Sequence, residues 1–189
     1  MEQRGVNGAP RHRGDIEDLL REAAPRVLAA VVRRFGDFAD SEDAVQEAMI
    51  DAARQWPAQG TPERPTGWLI AVASRRMTDQ IRADSARRAR EERLAVSLAD
   101  PGPTTDADDS LALIFMCCRP ELTPASAVAL TLRAVGGLST AQIAAAFLVP
   151  EKTMGRRIAR AKQTVGAAEE PLGLPAADER AERLRTVLS

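Results

Sequence analysis

Between residues 152 and 162 the chain carries Lys152, Arg156, Arg157, Arg160 and Lys162, with no acid among them. Interleaved with these cations, Met154, Ile158, Ala161 and Val165 recur at three- and four-residue spacing, which describes a helix with one buried stripe and one basic face. Lys152, Thr153, Arg156, Arg157 and Arg160 on the outer face can neutralise phosphates and reach base edges. A second cluster, Arg75, Arg76, Arg82, Arg87, Arg88, Arg90 and Arg93, stands against Asp79, Asp84, Glu91 and Glu92. These are groups for holding a polyanion. Chemistry of the chain's own is not visible: there is no nucleophile beside the lone His, no G-x-x-x-x-G-K phosphate loop, and no CxxC or HxxxH spacing. No catalytic residue, metal ligand or cofactor is expected.

A net charge of −1 over 189 residues looks wrong for nucleic-acid binding, but distribution matters more than the sum. Between the two basic clusters, residues 100–110 read DPGPTTDADDS, with Asp100, Asp106, Asp108 and Asp109 and no base. Pro, Gly and Thr at this density do not build a packed core, so the stretch reads as a flexible acidic linker between two helical domains. It neutralises the total without removing the field of either basic module. The domain expectations are a disordered N-terminus over 1–14, a first domain over 15–93, a linker over 94–110, a second domain over 111–166 and a tail over 167–189.

The elements that must position the arginines are helices. Ile16, Leu19, Leu20, Ala23, Val27, Val31 and Phe35 form one stripe that Gly36 can stop. Asp40 or Ser41 can cap a second helix, with Glu42 and Asp43 in its first turn, Ala44, Val45, Ala48, Met49 and Ala52 inward, and Pro57 at its end. Gln46, Glu47 and Asp51 are then left outside. After a loop over 57–65, a third helix turns Trp68, Leu69, Val72, Met77 and Ile81 inward and carries the first arginine cluster on its polar face. Nothing alternates with period two for long, so the fold class is all-α.

In the second domain, Thr123-Pro124 is a cap followed by Pro at the first helical position, and Val128, Leu132 and Val135 supply a stripe that ends at Gly136-Gly137. Ser139 with Gln142 three residues on makes a capping box for a short helix bearing Ile143, Ala144 and Phe147. Val149-Pro150 then forces a turn into the basic helix. A short capped helix, a tight turn and an acid-free basic helix together read as a helix-turn-helix whose second helix enters a major groove. Gly155 inside that helix costs about 1 kcal/mol relative to Ala, unless it allows a backbone to come close. Cys117 and Cys118 are adjacent and point about 100° apart on a helix, so they read as core residues and not as a bridge.

These residues carry a resemblance. Asp40-Ser41-Glu42-Asp43-Ala44-Val45-Gln46-Glu47 resembles the acidic D-x-E-D-x-V-Q-E segment of region 2.2 of bacterial sigma factors. Trp68-Leu69, Asp79 and Arg82 match the W-L…D-x-x-R pattern of regions 2.3 and 2.4, and residues 138–165 resemble region 4.2. The likeness is to the small extracytoplasmic-function (sigma-70 family, group 4) factors, and residues 111–154 are similar to a subgroup bearing a C-terminal extension. It implies a sigma2-like bundle and a sigma4-like helix-turn-helix joined by a region 3.2-like linker. It implies that Asp43, Gln46 and Glu47 dock on the β′ clamp helices of core RNA polymerase, and that the second domain meets the β flap. Trp68, Arg75, Arg76, Arg82, Arg87 and Arg88 would hold the unstacked −10 strand, and Lys152, Thr153, Arg156, Arg157 and Arg160 would read the −35 duplex. Arg75 stands where many members carry Asn and Gly155 is unusual, departures that bear on promoter choice.

The tail beyond Gly166 is Gly-, Ala- and Pro-rich and then begins an amphipathic stretch at 176–188, read as the start of such an extension. An anti-sigma factor or that extension is an expected partner. The apolar runs fall short of the roughly 18 to 20 residues that span a bilayer, and the N-terminus has no apolar leader, so the cytoplasm is the expected compartment. Two rivals remain. A one-component helix-turn-helix repressor would read paired half-sites as a dimer, and a small helical enzyme would need a cleft of titratable groups.

Overall fold

The computed structural model describes residues 13–91, 110–167, 172–175 and 179–180. The N-terminal residues before 13, the linker from 92 to 109 and most of the tail lie outside the described residues, and with them the expectations placed there.

Three long helices make the first unit: α1 (Arg13–Phe35), α2 (Phe38–Gln59) and α3 (Pro65–Glu91), each packed against the other two. The stripe on α1 is buried as its spacing requires, with Ile16, Leu20, Ala23, Val27 and Val31 facing the core and Leu19 and Phe35 half-buried. Gly36 adopts φ +79, and its N–H donates to Val32 O at 2.8 Å, ending α1 in the left-handed turn that glycine tolerates. Helix α2 starts earlier than expected. Its N-cap is Asp37, whose Oδ1 accepts from the Asp40 N–H at 2.8 Å, so neither Asp40 nor Ser41 is the cap. Ser41 and Glu42 are instead carried inside and buried. Pro57 does not end α2 either. It lies within the last turn, and the helix closes at Gly60, whose N–H donates to Trp56 O at 2.9 Å.

The second unit comprises α4 (Ser110–Cys117), α5 (Pro124–Ala134), α6 (Thr140–Ala146) and α7 (Glu151–Ala167). Thr123 caps α5 with Pro124 at the first helical position, as its sequence requires. The buried face of α5 is offset from the expected stripe: Ala127, Ala129, Leu130 and Ala134 are buried, while Val128, Leu132 and Val135 are half-buried. Small alanines fill the centre because α4, α6 and α7 all press on this helix or its neighbours. Cys117 and Cys118 are buried and form no disulfide.

The two units do not stand apart. Helices α4 and α5 pack on α1, α7 packs on α2, and one apolar cluster runs through both units. Gly137, at φ +63, brings the α5–α6 turn against α1 so closely that a Cβ there would lie 3.1 Å from Arg21 Cα.

Candidate nucleic-acid interface

Helices α6 and α7 form the helix-turn-helix. The capping box is complete: the Ser139 N–H donates to Gln142 Oε1 at 2.9 Å, and the Gln142 N–H donates to Ser139 Oγ at 3.2 Å. In the turn, Val149 N–H donates to Ala144 O at 3.0 Å and Leu148 takes φ +53, a left-handed conformation unusual for a branched side chain. Helix α7 then buries Met154, Ile158, Ala161 and Val165, the four residues its periodicity predicts. On the opposite side Lys152, Thr153, Arg156 and Arg160 are exposed, so one face offers three cations and a hydroxyl to a groove. Arg157 is half-buried, its guanidinium 5.7 Å from the centre of the Phe147 ring, so it braces the turn as well as extending the basic face. Among the described residues, no other part of the chain approaches Gly155 closely. A Cβ there would meet only Thr140 Cγ2, at 3.9 Å.

On the first unit, Arg75 and Arg82 are exposed on α3, with Arg82 3.9 Å from Asp79. Arg76 is half-buried and paired with both Glu47 and Asp51 of α2. Arg87 and Arg88 continue α3, and their side chains lie outside the described residues. Trp68 is half-buried and meets Trp56 edge to face, centroids 5.5 Å apart, so much of its ring belongs to the core. Of the acidic stripe on α2, Glu47 and Asp43 are exposed and Gln46 is half-buried.

A further set of charged groups escaped the sequence reading. Glu42, 2% exposed, accepts from Arg133 Nε of α5 at 2.8 Å and from Lys162 Nζ of α7 at 2.9 Å. Lys162 also donates to Asp43. Burial alone would lower the Lys162 ammonium, but the carboxylates of Glu42 and Asp43 hold it above its ordinary value. The sequence pattern puts Glu42 in a first turn, where a solvated acid is expected, but with α2 starting at Phe38 it lies one turn further in, and its partners are 91 and 120 residues away. Desolvation also governs Cys117, where burial first and then the adjacent Cys118 push the thiol well above its usual range, which keeps it unreactive.

Among the described residues no group of three or more His, Cys, Asp or Glu is placed to hold a metal, and no helix is long and apolar enough to cross a membrane.

Comparison with known proteins agrees with this division. Residues 13–87 match sigma-70 region 2 and residues 112–165 match sigma-70 region 4. The chain is 40% identical over 183 residues to an uncharacterized protein of Rhizobium meliloti, covering 92% of this chain and 43% of that protein. It is 33% identical over 141 residues to the probable ECF RNA polymerase sigma factor SigI of Mycobacterium tuberculosis, covering 70% of this chain and 48% of that protein. It is 27% identical over 158 residues to the ECF RNA polymerase sigma factor SigK of Mycobacterium ulcerans, covering 73% of this chain and 84% of that protein. The chain thus spans about half the length of the first two relatives. No solved structure matches it significantly. With both matched regions in order on two packed helical units, the chain belongs to the sigma-70 family, in its extracytoplasmic-function group of RNA polymerase sigma factors.

Proposed function

We propose that this chain directs core RNA polymerase to promoters with −35 and −10 elements and helps open the −10 region. The observation that supports it best is the exposed row Lys152, Thr153, Arg156 and Arg160 on a helix that follows a capped helix and a tight turn, in one chain with a three-helix region 2 unit. In this reading α7 enters the upstream major groove and α3 arginines grip the −10 strand, Trp68 lending at most the exposed part of its ring. Asp43, Gln46 and Glu47 dock on the β′ clamp helices, and the second unit meets the β flap. The reaction chemistry is the polymerase's. The cytoplasm as its compartment, and an anti-sigma factor or a C-terminal extension like that of the subgroup it resembles as a partner, belong to the same proposal.

The deciding experiment is initiation on promoter libraries by core polymerase with and without the chain. Transcripts from two-part promoters that appear only when the chain is added are expected. Tight binding of the chain alone, as a dimer, to one palindromic operator would replace this reading with a repressor.

A further inference from the structure

The end of α6 asks for a glycine and holds a leucine. The Val149 N–H donates to Ala144 O at 3.0 Å and the Leu148 N–H to Ala145 O at 3.2 Å. These paired bonds close a helix when the residue after its cap turns left-handed. Leu148 is that residue, at φ +53, a position that glycine commonly takes because a Cβ is strained there. Among the described residues no other side chain is carried at a positive φ. Packing does not offset the strain, since Leu148 is 92% exposed, the most open of the large apolar residues described. Strain and exposure thus fall on one side chain, and strained residues cluster where a group is presented to a ligand.

Its place says which ligand. Leu148 lies three residues before Glu151, the first residue of α7, so its Cα is at most about 11 Å from the start of that helix at 3.8 Å per step. The exposed row Lys152, Thr153 and Arg156 begins there, and a major groove is about 12 Å wide. Recognition helices read with their N-terminal residues, so the turn that carries Leu148 travels toward the duplex with them. An alkyl side chain can neither neutralise a phosphate nor hydrogen-bond a base. On the major-groove edges of the bases, the apolar group open to it is the thymine 5-methyl.

We propose that Leu148 is a specificity residue of the upstream reading, packing its side chain on a thymine methyl of the −35 element. It adds an apolar contact to a polar row, and the stability lost at the left-handed turn accompanies the gain in recognition. The inference rests on the reading of α7 as the −35 helix.

Deoxyuridine tests it, because it pairs as thymidine does and lacks only that methyl. With core polymerase and the chain on a duplex promoter from the library experiment, each thymine of the upstream element is replaced in turn. At one position the parent should lose about fourfold in closed-complex affinity, the worth of one buried methyl group. Leu148→Ala should bind the thymine duplex more weakly by a similar factor and lose nothing further at that position, while its response to the other replacements stays that of the parent. Leu148→Met, which keeps an apolar reach, should retain the sensitivity. Leu148→Gly should melt higher than the parent and yet behave as Leu148→Ala does on DNA, which separates recognition from folding. A preferred element without thymine, a parent that ignores every replacement, or equal sensitivity of Leu148→Ala and the parent at every thymine overturns the proposal. So does an equal loss for Leu148→Ala on a template whose upstream half is removed, which would assign the leucine to a polymerase contact. If Arg156→Ala binds the duplex as the parent does, the −35 reading itself falls, and this contact with it.

Discussion

Arg76 of α3 and Glu47 of α2 form an ion pair, so a residue of the proposed −10 grip and a residue of the proposed polymerase dock share one contact. Arg76 reaches Asp51 as well, one turn further along α2. Glu47 is well exposed and Arg76 half-buried, and ion pairs open to solvent are worth only about 0–1 kcal/mol. Charge reversal here should therefore read out binding and not folding.

Glu47→Lys combined with Asp43→Lys is expected to abolish retention on immobilised core polymerase while far-UV circular dichroism stays that of the parent. Glu47→Gln, which keeps the shape and loses the charge, should fall in between. The assignment is withdrawn if the doubly reversed chain is retained as well as the parent.

The arginines of α7 are expected to separate by exposure. Arg156→Ala should weaken closed-complex formation on duplex templates, where a bidentate base contact is worth about 1–3 kcal/mol, and spare templates with a pre-opened −10 region and no upstream half. Arg157→Ala should lower the melting temperature as well, because it also removes the guanidinium from Phe147. Arg76→Ala should weaken both templates. Equal losses on the two templates for Arg156→Ala would mean that this face does not read the upstream element.

Two positions in the helix-turn-helix are suboptimal for stability. Gly155→Ala should stabilise the chain by about 1 kcal/mol, since helix propensity improves and the new methyl meets nothing closer than 3.9 Å. Leu148 is 92% exposed at φ +53, so Leu148→Gly should also stabilise, by roughly 1 kcal/mol, losing little burial and relieving the left-handed strain. Chemical denaturation measures both. A destabilised Gly155→Ala would show that the helix relies on a distortion there.

Asp40 gives a pH signature. Burial, then the carboxylate of Asp37, with smaller pushes from Asp43 and Asp84, hold it above its ordinary value of 3.8, against a hydrogen bond with Gln80. A raised carboxylate disfavours the folded state when ionised. That cost is full above the folded value and absent below the unfolded one. The melting temperature of Asp40→Asn relative to the parent should thus rise as the pH climbs from below 3.8 toward neutrality. A difference that is flat across that range would contradict the shift.

What the sequence disclosed and what it hid divide by range. Met154, Ile158, Ala161 and Val165 are buried because a helix repeats its faces every three or four residues, and the Ser139–Gln142 box formed because its partners are local. The start of α2 was misjudged because Asp37, Asp40 and Ser41 all have capping side chains, and only the chain's exit from Gly36 selects Asp37. The face of α5 was offset because valines and leucines outweigh alanines in a hydrophobic pattern, whereas close helix packing favours the alanines. Glu42 was unreadable: no local pattern distinguishes a solvated first-turn acid from one whose partners are Arg133 and Lys162. The candidate residues on α2, α3 and α7 came from motif spacing, and their exposure came from the fold.

An ion pair shared between two units is also a thermodynamic link. If polymerase and upstream duplex each favour parting Glu42 from Arg133 and Lys162, then whichever binds first raises the affinity for the other, and by the same factor in either order. Glu42, buried away from both ligands, would set the size of that cooperativity, so a substitution there could change how steeply initiation responds to polymerase concentration without altering a single DNA contact.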